Sequence, residues 1–162
     1  MVITDHKKGE ARDANVAEAV RRIVLGKRMY DKLESLMKSA LLLQCKRKEP
    51  FVVILISAAE GYALKSLLVE QKRALDILVE VDAAANCYAL MCLDTKVEGG
   101  FQFAQRLLRF MKTGFAEEIY MVVADVRSKH HGTSAVLGTL IETYFDAIDA
   151  KREGEVILRS FT

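Results

Sequence analysis

The spacing of apolar residues divides this chain into helical and strand-like segments. Helical spacing predicts five helices, over residues 15–25, 27–45, 62–74, 102–112 and 133–151. Gly26 separates the first two, and we expect it to interrupt the helix there. Residues 1–13 are charged and aperiodic, so we expect them to form a flexible N-terminus.

Continuous apolar runs predict five strands. They are Phe51–Ile56, Ile77–Val81, Tyr88–Leu93, Ile119–Val126 and, as an edge strand, Val156–Leu158. The first run is apolar at every position, which is typical of a central strand covered on both faces. The second and third flank a short polar centre and read as a hairpin. The order predicts an α+β fold (an α/β sandwich), with a mostly antiparallel sheet flanked by helices, in a single domain over residues 14–162.

Composition and charge narrow the function classes. The chain has 162 residues and a net charge of +2, so no large field points to a nucleic acid polymer or a membrane surface. No apolar run approaches the roughly 18–20 residues of a membrane span. No signal peptide is visible. We therefore expect a cytoplasmic protein.

Residues that could bind metal or act as nucleophiles are sparse. Cys45, Cys87 and Cys92 have no metal-ligand spacing and are interpreted as reduced thiols. Cys87 and Cys92 lie on opposite faces of one predicted strand, so they cannot pair within it. His130 and His131 share a polar loop without a carboxylate or cysteine at ligand spacing, which argues against a metal site. No P-loop and no nucleophile–base pair marks an enzyme.

Four segments, in this order, resemble the GGDEF domain of diguanylate cyclases. The best match is Tyr88–Thr95, which resembles the strand that follows the signature Gly-Gly-Asp-Glu-Phe. The others resemble the family's leading segment, the helix behind the hairpin and the closing segment; they are Leu25–Leu33, Gly100–Leu107 and Ile148–Gly154. The resemblance spans about residues 15–157 and implies the sheet of nucleotide cyclases.

The same resemblance implies that this chain is not an enzyme. The family's reaction needs divalent metal, which carboxylate oxygens hold. On this alignment the signature becomes Ala84-Ala85-Asn86-Cys87-Tyr88, and Ser57 replaces the metal-binding aspartate of the first strand. Asn86 and Cys87 carry no charge, so we expect neither metal nor cofactor. Asp82 is interpreted as a turn former rather than a replacement ligand.

A product-binding site is implied by Arg73-Ala74-Leu75-Asp76, which stands just before the hairpin, where many family members bind cyclic di-GMP. An arginine fork can bind guanine or phosphate, and a carboxylate can accept from guanine N–H groups. On the facing helix, Arg106 and Arg109 are expected to clamp phosphate and Phe103 to stack on a base. The degenerate GGDEF domain of the Pel exopolysaccharide receptor is similar, which implies a cyclic di-GMP receptor in exopolysaccharide or biofilm regulation.

Other interpretations stay open. Arg73 and Asp76 can form a helix-end pair without a ligand, and a second copy of the pattern, Arg28–Asp31, shows that the pattern alone is weak. The two arginines of the facing helix can be its polar face, Phe103 can be core, and Lys151 is interpreted as structural. The second hypothesis is therefore a ligand-free module that forms a homodimer or docks a signalling or secretion partner. The third is an unrelated α/β enzyme.

Overall fold

In the computed structural model the backbone is described for residues 2–47, 49–126 and 132–161, and the side chains for residues 12–42, 49–126 and 132–161. The helices are α1 (Val2–Arg47), α2 (Leu64–Gln71), α3 (Val97–Thr113) and α4 (Thr133–Asp149). The strands are β1 (Phe51–Ser57), β2 (Ile77–Asp82), β3 (Cys87–Cys92), β4 (Tyr120–Val126) and β5 (Val156–Phe161).

The five strands form one sheet in the order β2-β3-β1-β4-β5. β1 runs antiparallel to both of its neighbours, and β2 and β3 form an antiparallel hairpin. Only β5 runs parallel to the strand beside it, β4. The predicted α+β fold, with a mostly antiparallel sheet flanked by helices, is confirmed.

β1 lies at the centre of the sheet, and every residue in it is buried. Phe51, Val53 and Leu55 point to one face, where they join the core that α1 and α4 cover. The alternate residues Val52, Ile54 and Ile56 point to the other face and join the core beneath α2 and α3. The unbroken apolar run follows from this position, because successive side chains of a strand alternate between the two faces.

The expected break at Gly26 is wrong, because α1 continues through it as a single helix. A Cβ atom added at Gly26 would lie 3.5 Å from the ring of Phe145 and 3.6 Å from Ile141, both on α4. Both distances are ordinary van der Waals contacts, so the space there does not require glycine. The packing of α1 against α4 outweighs a helix-propensity cost of about 1 kcal/mol. Residues 2–13 are helical backbone rather than aperiodic chain. The flexibility of residues 1–13 and the single-domain organisation stay predictions.

Several other bounds differ from the sequence-based expectation. α2 is shorter than predicted, and β5 extends to Phe161. α3 begins at Val97, five residues before the predicted start at Gln102, so Gly99 and Gly100 lie inside the helix. Among the described helices, none combines the length and apolar character needed to cross a membrane.

Gly100 is where α3 sits directly on the sheet. A Cβ atom built there would lie 2.8 Å from both methyl groups of Val52, a residue of the buried strand β1. At Gly99 the nearest atom to such a Cβ is 3.9 Å away, on Thr95. The two adjacent glycines therefore have different roles, since only Gly100 is required by packing.

Replacing Gly100 by Ala should lower the free energy of unfolding by about 1–3 kcal/mol, because the added methyl group overpacks the contact with Val52. Gly99→Ala is the matched control and should be neutral or stabilising by up to ~1 kcal/mol, since alanine favours a helix. Urea denaturation of both variants measures the difference. Equal stability of the two variants would contradict the close contact between α3 and β1.

Candidate functional site

Arg73 and Asp76 form a tight turn between α2 and β2. The backbone N–H of Asp76 donates to the carbonyl of Arg73 over 3.0 Å. In return the Asp76 carboxylate accepts from the Arg73 backbone N–H at 2.8 Å, and from the guanidinium Nη2 at 3.0 Å. The Asp76 side chain is fully buried, whereas that of Arg73 is 54% exposed. Asp76 therefore holds Arg73 from the protein interior, while the guanidinium group reaches the surface.

Thr95 holds the same guanidinium group from the other side. Arg73 Nη2 donates to Thr95 Oγ1, and Thr95 Oγ1 donates to the carbonyl of Leu93 over 2.9 Å. Thr95 lies two residues before α3 begins, so this contact joins the turn to the start of the helix. The hydrogen bonds with Asp76 raise the pKa of Arg73, which keeps it charged.

The exposed face of α3 supplies the rest of the groove. The guanidinium carbon of Arg106 lies 5.0 Å from the centre of the Phe103 ring, within cation–π distance. Arg109 follows one turn later. The groove holds about 630 Å³ and is lined by residues of the turn, of the loop before α3 and of α3 itself: Arg73, Thr95, Gly99, Phe101, Gln102, Phe103, Gln105, Arg106 and Arg109.

The groove is strongly cationic. Three arginine side chains line it, and no lining residue is a carboxylate. Among the ion pairs between described residues, Arg73 pairs with Asp76, and none includes Arg106 or Arg109. Two guanidinium groups are thus available for an anionic ligand without breaking an existing pair.

The structure brings four of the five predicted site residues to one groove. Arg73, Phe103, Arg106 and Arg109 line it, whereas Asp76 lies behind Arg73 and does not. Phe103 is only 8% exposed and belongs to the core as well as to the groove wall. Whether these five residues bind a ligand stays a prediction.

Sequence reasoning missed several lining residues. Gly99 and Gln102 precede Arg106 at helical spacing, so a helix drawn from Val97 would have placed them on the same face. Thr95 carried no comparable signal, because it reaches Arg73 only through the tertiary fold.

A second polar cluster lies at the tip of the β2–β3 hairpin. Asn86 adopts a left-handed backbone conformation with φ of 49°. Its Nδ2 donates to the carbonyls of Ala59 and Tyr62, at 3.0 and 2.9 Å. Nearby, Ser57 pairs with Cys87 across the sheet, and the hydroxyl of Tyr144 donates to Ser57 Oγ over 2.7 Å. The polar groups at this tip are thus engaged by protein partners.

The two cysteines of β3 are buried thiols. Cys87 and Cys92 are both free, and they lie in the cores on opposite faces of the sheet, as the sequence predicted. Burial raises the pKa of each thiol to about 12, so neither is a reactive thiolate near neutral pH. The side chain of Cys45 lies outside the described residues.

Comparison with known proteins identifies the fold. No protein-family model and no curated protein sequence matches the chain. Among solved structures, the GGDEF domain of FimX from Pseudomonas aeruginosa matches with a TM-score of 0.62 and 19% identity, over 77% of this chain and 90% of that chain. The coiled coil and GGDEF domain of DgcB from Caulobacter crescentus, in complex with c-di-GMP, matches with a TM-score of 0.61 and 8% identity, over 97% of both chains.

The diguanylate cyclase SiaD from Pseudomonas aeruginosa, in complex with its activator SiaC, matches with a TM-score of 0.63 and 11% identity, over 97% of this chain and 69% of that chain. The chain has a GGDEF-like fold. At these identities the likeness extends to the fold alone.

Within this GGDEF-like fold, no described group of three or more His, Cys, Asp or Glu residues is arranged to hold a metal ion. Asp82, at the hairpin tip, accepts from the Ala84 backbone N–H at 3.0 Å and pairs with Arg28 at 2.9 Å. Its predicted role as a turn former is confirmed. His130 and His131 lie outside the described residues.

Asn86→Asp should destabilise the protein by about 2 kcal/mol, because a carboxylate cannot donate to the carbonyls of Ala59 and Tyr62. Ala85→Asp is the matched control, since it adds the same charge at an exposed neighbouring position and should change stability by less than about 0.5 kcal/mol. Urea unfolding at pH 7 tests both. The loss of stability of Asn86→Asp relative to the wild type should be smaller at pH 4, because a protonated carboxyl group has an O–H that can donate to one of the carbonyls. An unchanged unfolding midpoint for Asn86→Asp would contradict the structural role of this side chain.

Proposed function

We propose that this chain is a catalytically inactive GGDEF-like domain that binds cyclic di-GMP and passes the signal to a partner protein. The observation that carries the proposal is the groove between the Arg73–Asp76 turn and α3. Three arginines line this groove, no lining residue is acidic, and two of the arginines form no ion pair with another described residue.

The charge of the site suits the ligand. Arg73, Arg106 and Arg109 contribute three positive charges, and the carboxylate of Asp76 behind them contributes one negative charge, which leaves a net +2. A cyclic dinucleotide carries one negative charge on each of its two phosphodiesters. Guanidinium groups bind phosphate oxygens through charge-assisted, often bidentate hydrogen bonds.

The aromatic residue of the groove supports binding indirectly. Phe103 is largely buried, and the guanidinium group of Arg106 lies over its ring. This contact restricts Arg106 and prepares it to meet a phosphate or to stack on a base. Phe103 thus orients Arg106 rather than offering a bare stacking surface, a refinement of its expected role.

The proposed inactivity rests on the hairpin tip. The positions that resemble the family's metal-binding and catalytic carboxylates are Ser57, Asn86 and Cys87. Ser57 and Asn86 bond to protein groups, and the thiol of Cys87 is buried with a raised pKa. Divalent metal bound to nucleotide phosphates requires oxygen ligands with negative charge, and these positions supply none.

The neighbouring structures are consistent with this function. DgcB was solved in complex with c-di-GMP, and SiaD was solved with a protein activator. We therefore include a protein partner from a signalling or secretion system in the proposal. A cytoplasmic location and a role in exopolysaccharide or biofilm regulation, which the resemblance to the Pel receptor implies, belong to the same proposal.

Arg106→Ala and Arg73→Ala should each weaken cyclic di-GMP binding by roughly tenfold or more, because each removes a charge-assisted contact. Isothermal titration calorimetry of the wild type and both variants measures this loss. Arg159→Ala is the matched control, since Arg159 is an exposed arginine on β5 outside the groove, and it should leave the affinity unchanged.

A parallel assay with GTP and magnesium should show no product formation. If the wild type binds no cyclic di-GMP, the receptor proposal is wrong. Product formation from GTP would overturn the proposed inactivity.

Dimerisation through α1 is a second candidate function, and a separate observation favours it. Four apolar side chains near the start of the described part of α1 are exposed: Val16 by 62%, Val20 by 53%, Ile23 by 71% and Val24 by 44%. Their spacing places them along one stripe of the helix. The fully buried core residues of α1, such as Met29 and Leu33, lie further along the helix. A second copy of α1 would bury this stripe in a two-helix contact.

Substituting Ile23→Lys should shift a dimer to the monomer, because a charge would lie within the apolar contact between the two copies of α1. Val69→Lys is the matched control, since Val69 is an exposed valine on α2, away from the stripe. Sedimentation velocity of the wild type and both variants provides the readout. A monomeric wild type at high micromolar concentration would exclude this candidate function and leave the receptor proposal unaffected.

A further inference from the structure

We propose that the groove accepts cyclic dinucleotides with little regard to their bases, so that cyclic di-AMP and cyclic GMP-AMP bind it about as well as cyclic di-GMP does. The inference rests on the proposed function, because it concerns the same groove and the same class of ligand. Its basis is that the two groups expected to read guanine, the carboxylate of Asp76 and the guanidinium fork of Arg73, are bound to each other.

The Asp76 carboxylate is not available to a ligand. Its Oδ2 accepts from the backbone N–H of Arg73 at 2.8 Å, and its Oδ1 accepts from Arg73 Nη2 at 3.0 Å. The side chain is fully buried and does not line the groove. Reading the N1–H and N2–H groups of guanine requires an acceptor that the base can reach. Asp76 therefore positions Arg73 and does not contact the base.

Arg73 also lacks two free nitrogens with which to bind one base. A guanidinium group has five N–H donors, one on Nε and two on each terminal nitrogen. The Nε donor bonds to Asp76, and Nη2 bonds to both Asp76 and Thr95. Three donors are thus engaged, and the remaining two are both on Nη1. The two-nitrogen contact with guanine O6 and N7 would require Arg73 to release Asp76 or Thr95.

The remaining groups in the groove read features that all cyclic dinucleotides share. Arg106 and Arg109 can bind phosphate oxygens, which do not differ between guanine and adenine nucleotides. Gln102 and Gln105 each carry both a donor and an acceptor, so their amides can pair with either purine. Thr95 Oγ1 already accepts from Arg73 and donates to the carbonyl of Leu93. No acidic side chain among the lining residues is left to select guanine.

The test is calorimetric titration of the unmodified protein with cyclic di-GMP, cyclic di-AMP and cyclic GMP-AMP, at one salt concentration. We expect three dissociation constants within tenfold of one another. One bidentate base contact discriminates by roughly fivefold to more than a hundredfold, and cyclic di-GMP offers two guanines. A preference for cyclic di-GMP over cyclic di-AMP of more than tenfold would therefore overturn the inference.

Asp76→Asn separates positioning from direct reading of the base. If Asp76 only holds Arg73, the substitution should weaken cyclic di-GMP and cyclic di-AMP by the same factor, and the ratio of the two affinities should not change. Arg109→Ala is the matched control, since loss of a phosphate contact should also leave that ratio unchanged. A loss confined to cyclic di-GMP in Asp76→Asn would refute the positioning role.

The outcomes distinguish this inference from the proposed function. Strong binding of cyclic di-GMP with no detectable binding of cyclic di-AMP keeps the receptor function and overturns the inference. Failure of all three dinucleotides to bind overturns both. The wild-type titration decides the question even if Asp76→Asn does not fold, because it requires no variant.

Discussion

Burial of β1 on both faces is the constraint on which the rest of this structure depends. β1 has no polar side chain before its final serine, so neither of its faces can be exposed to water. Helices must therefore cover both faces of the sheet. α1 and α4 cover one face, and α2 and α3 cover the other. The tight contact of Gly100 with Val52 sets how closely α3 approaches. The arginine-lined groove and the polar cluster at the hairpin tip both follow from this arrangement.

The first site exists because α3 presents its polar face beside the end of α2. The apolar residues of α3, among them Ala104 and Leu107, face the sheet, which turns Arg106 and Arg109 outward along the groove. The turn after α2 then brings Arg73 to the same groove, where Asp76 and Thr95 hold its guanidinium group. A buried carboxylate is tolerated at this place because the arginine and a backbone N–H satisfy its oxygens.

At the second site, uncharged polar groups stabilise the hairpin tip alongside the ion pair of Arg28 with Asp82. These uncharged groups are the amide of Asn86, the thiol of Cys87 and, on the paired strand β1, the hydroxyl of Ser57. The amide of Asn86 ties the tip to the loop after β1, and the Ser57 hydroxyl accepts from Tyr144 on α4. Such groups can be buried once they have hydrogen-bond partners, whereas unpaired carboxylates could not. The tip is thus well suited to structural support.

The sequence alone determined the α+β class, the five strands and their approximate limits, because periodicity records which side chains must be buried. Through the resemblance of their segments to the GGDEF domain, it also predicted that Arg73, Arg106 and Arg109 lie together, and all three line one groove. The continuity of α1 through Gly26 was decided by tertiary packing, since the packing of α1 against α4 outweighs the low helix propensity of glycine. Tertiary structure alone also decided that Thr95 meets Arg73 and that Asp76 turns away from the groove. Hydrogen bonds between distant segments leave no periodic signal, and the direction of a side chain in a turn depends on the partners that the fold brings to it.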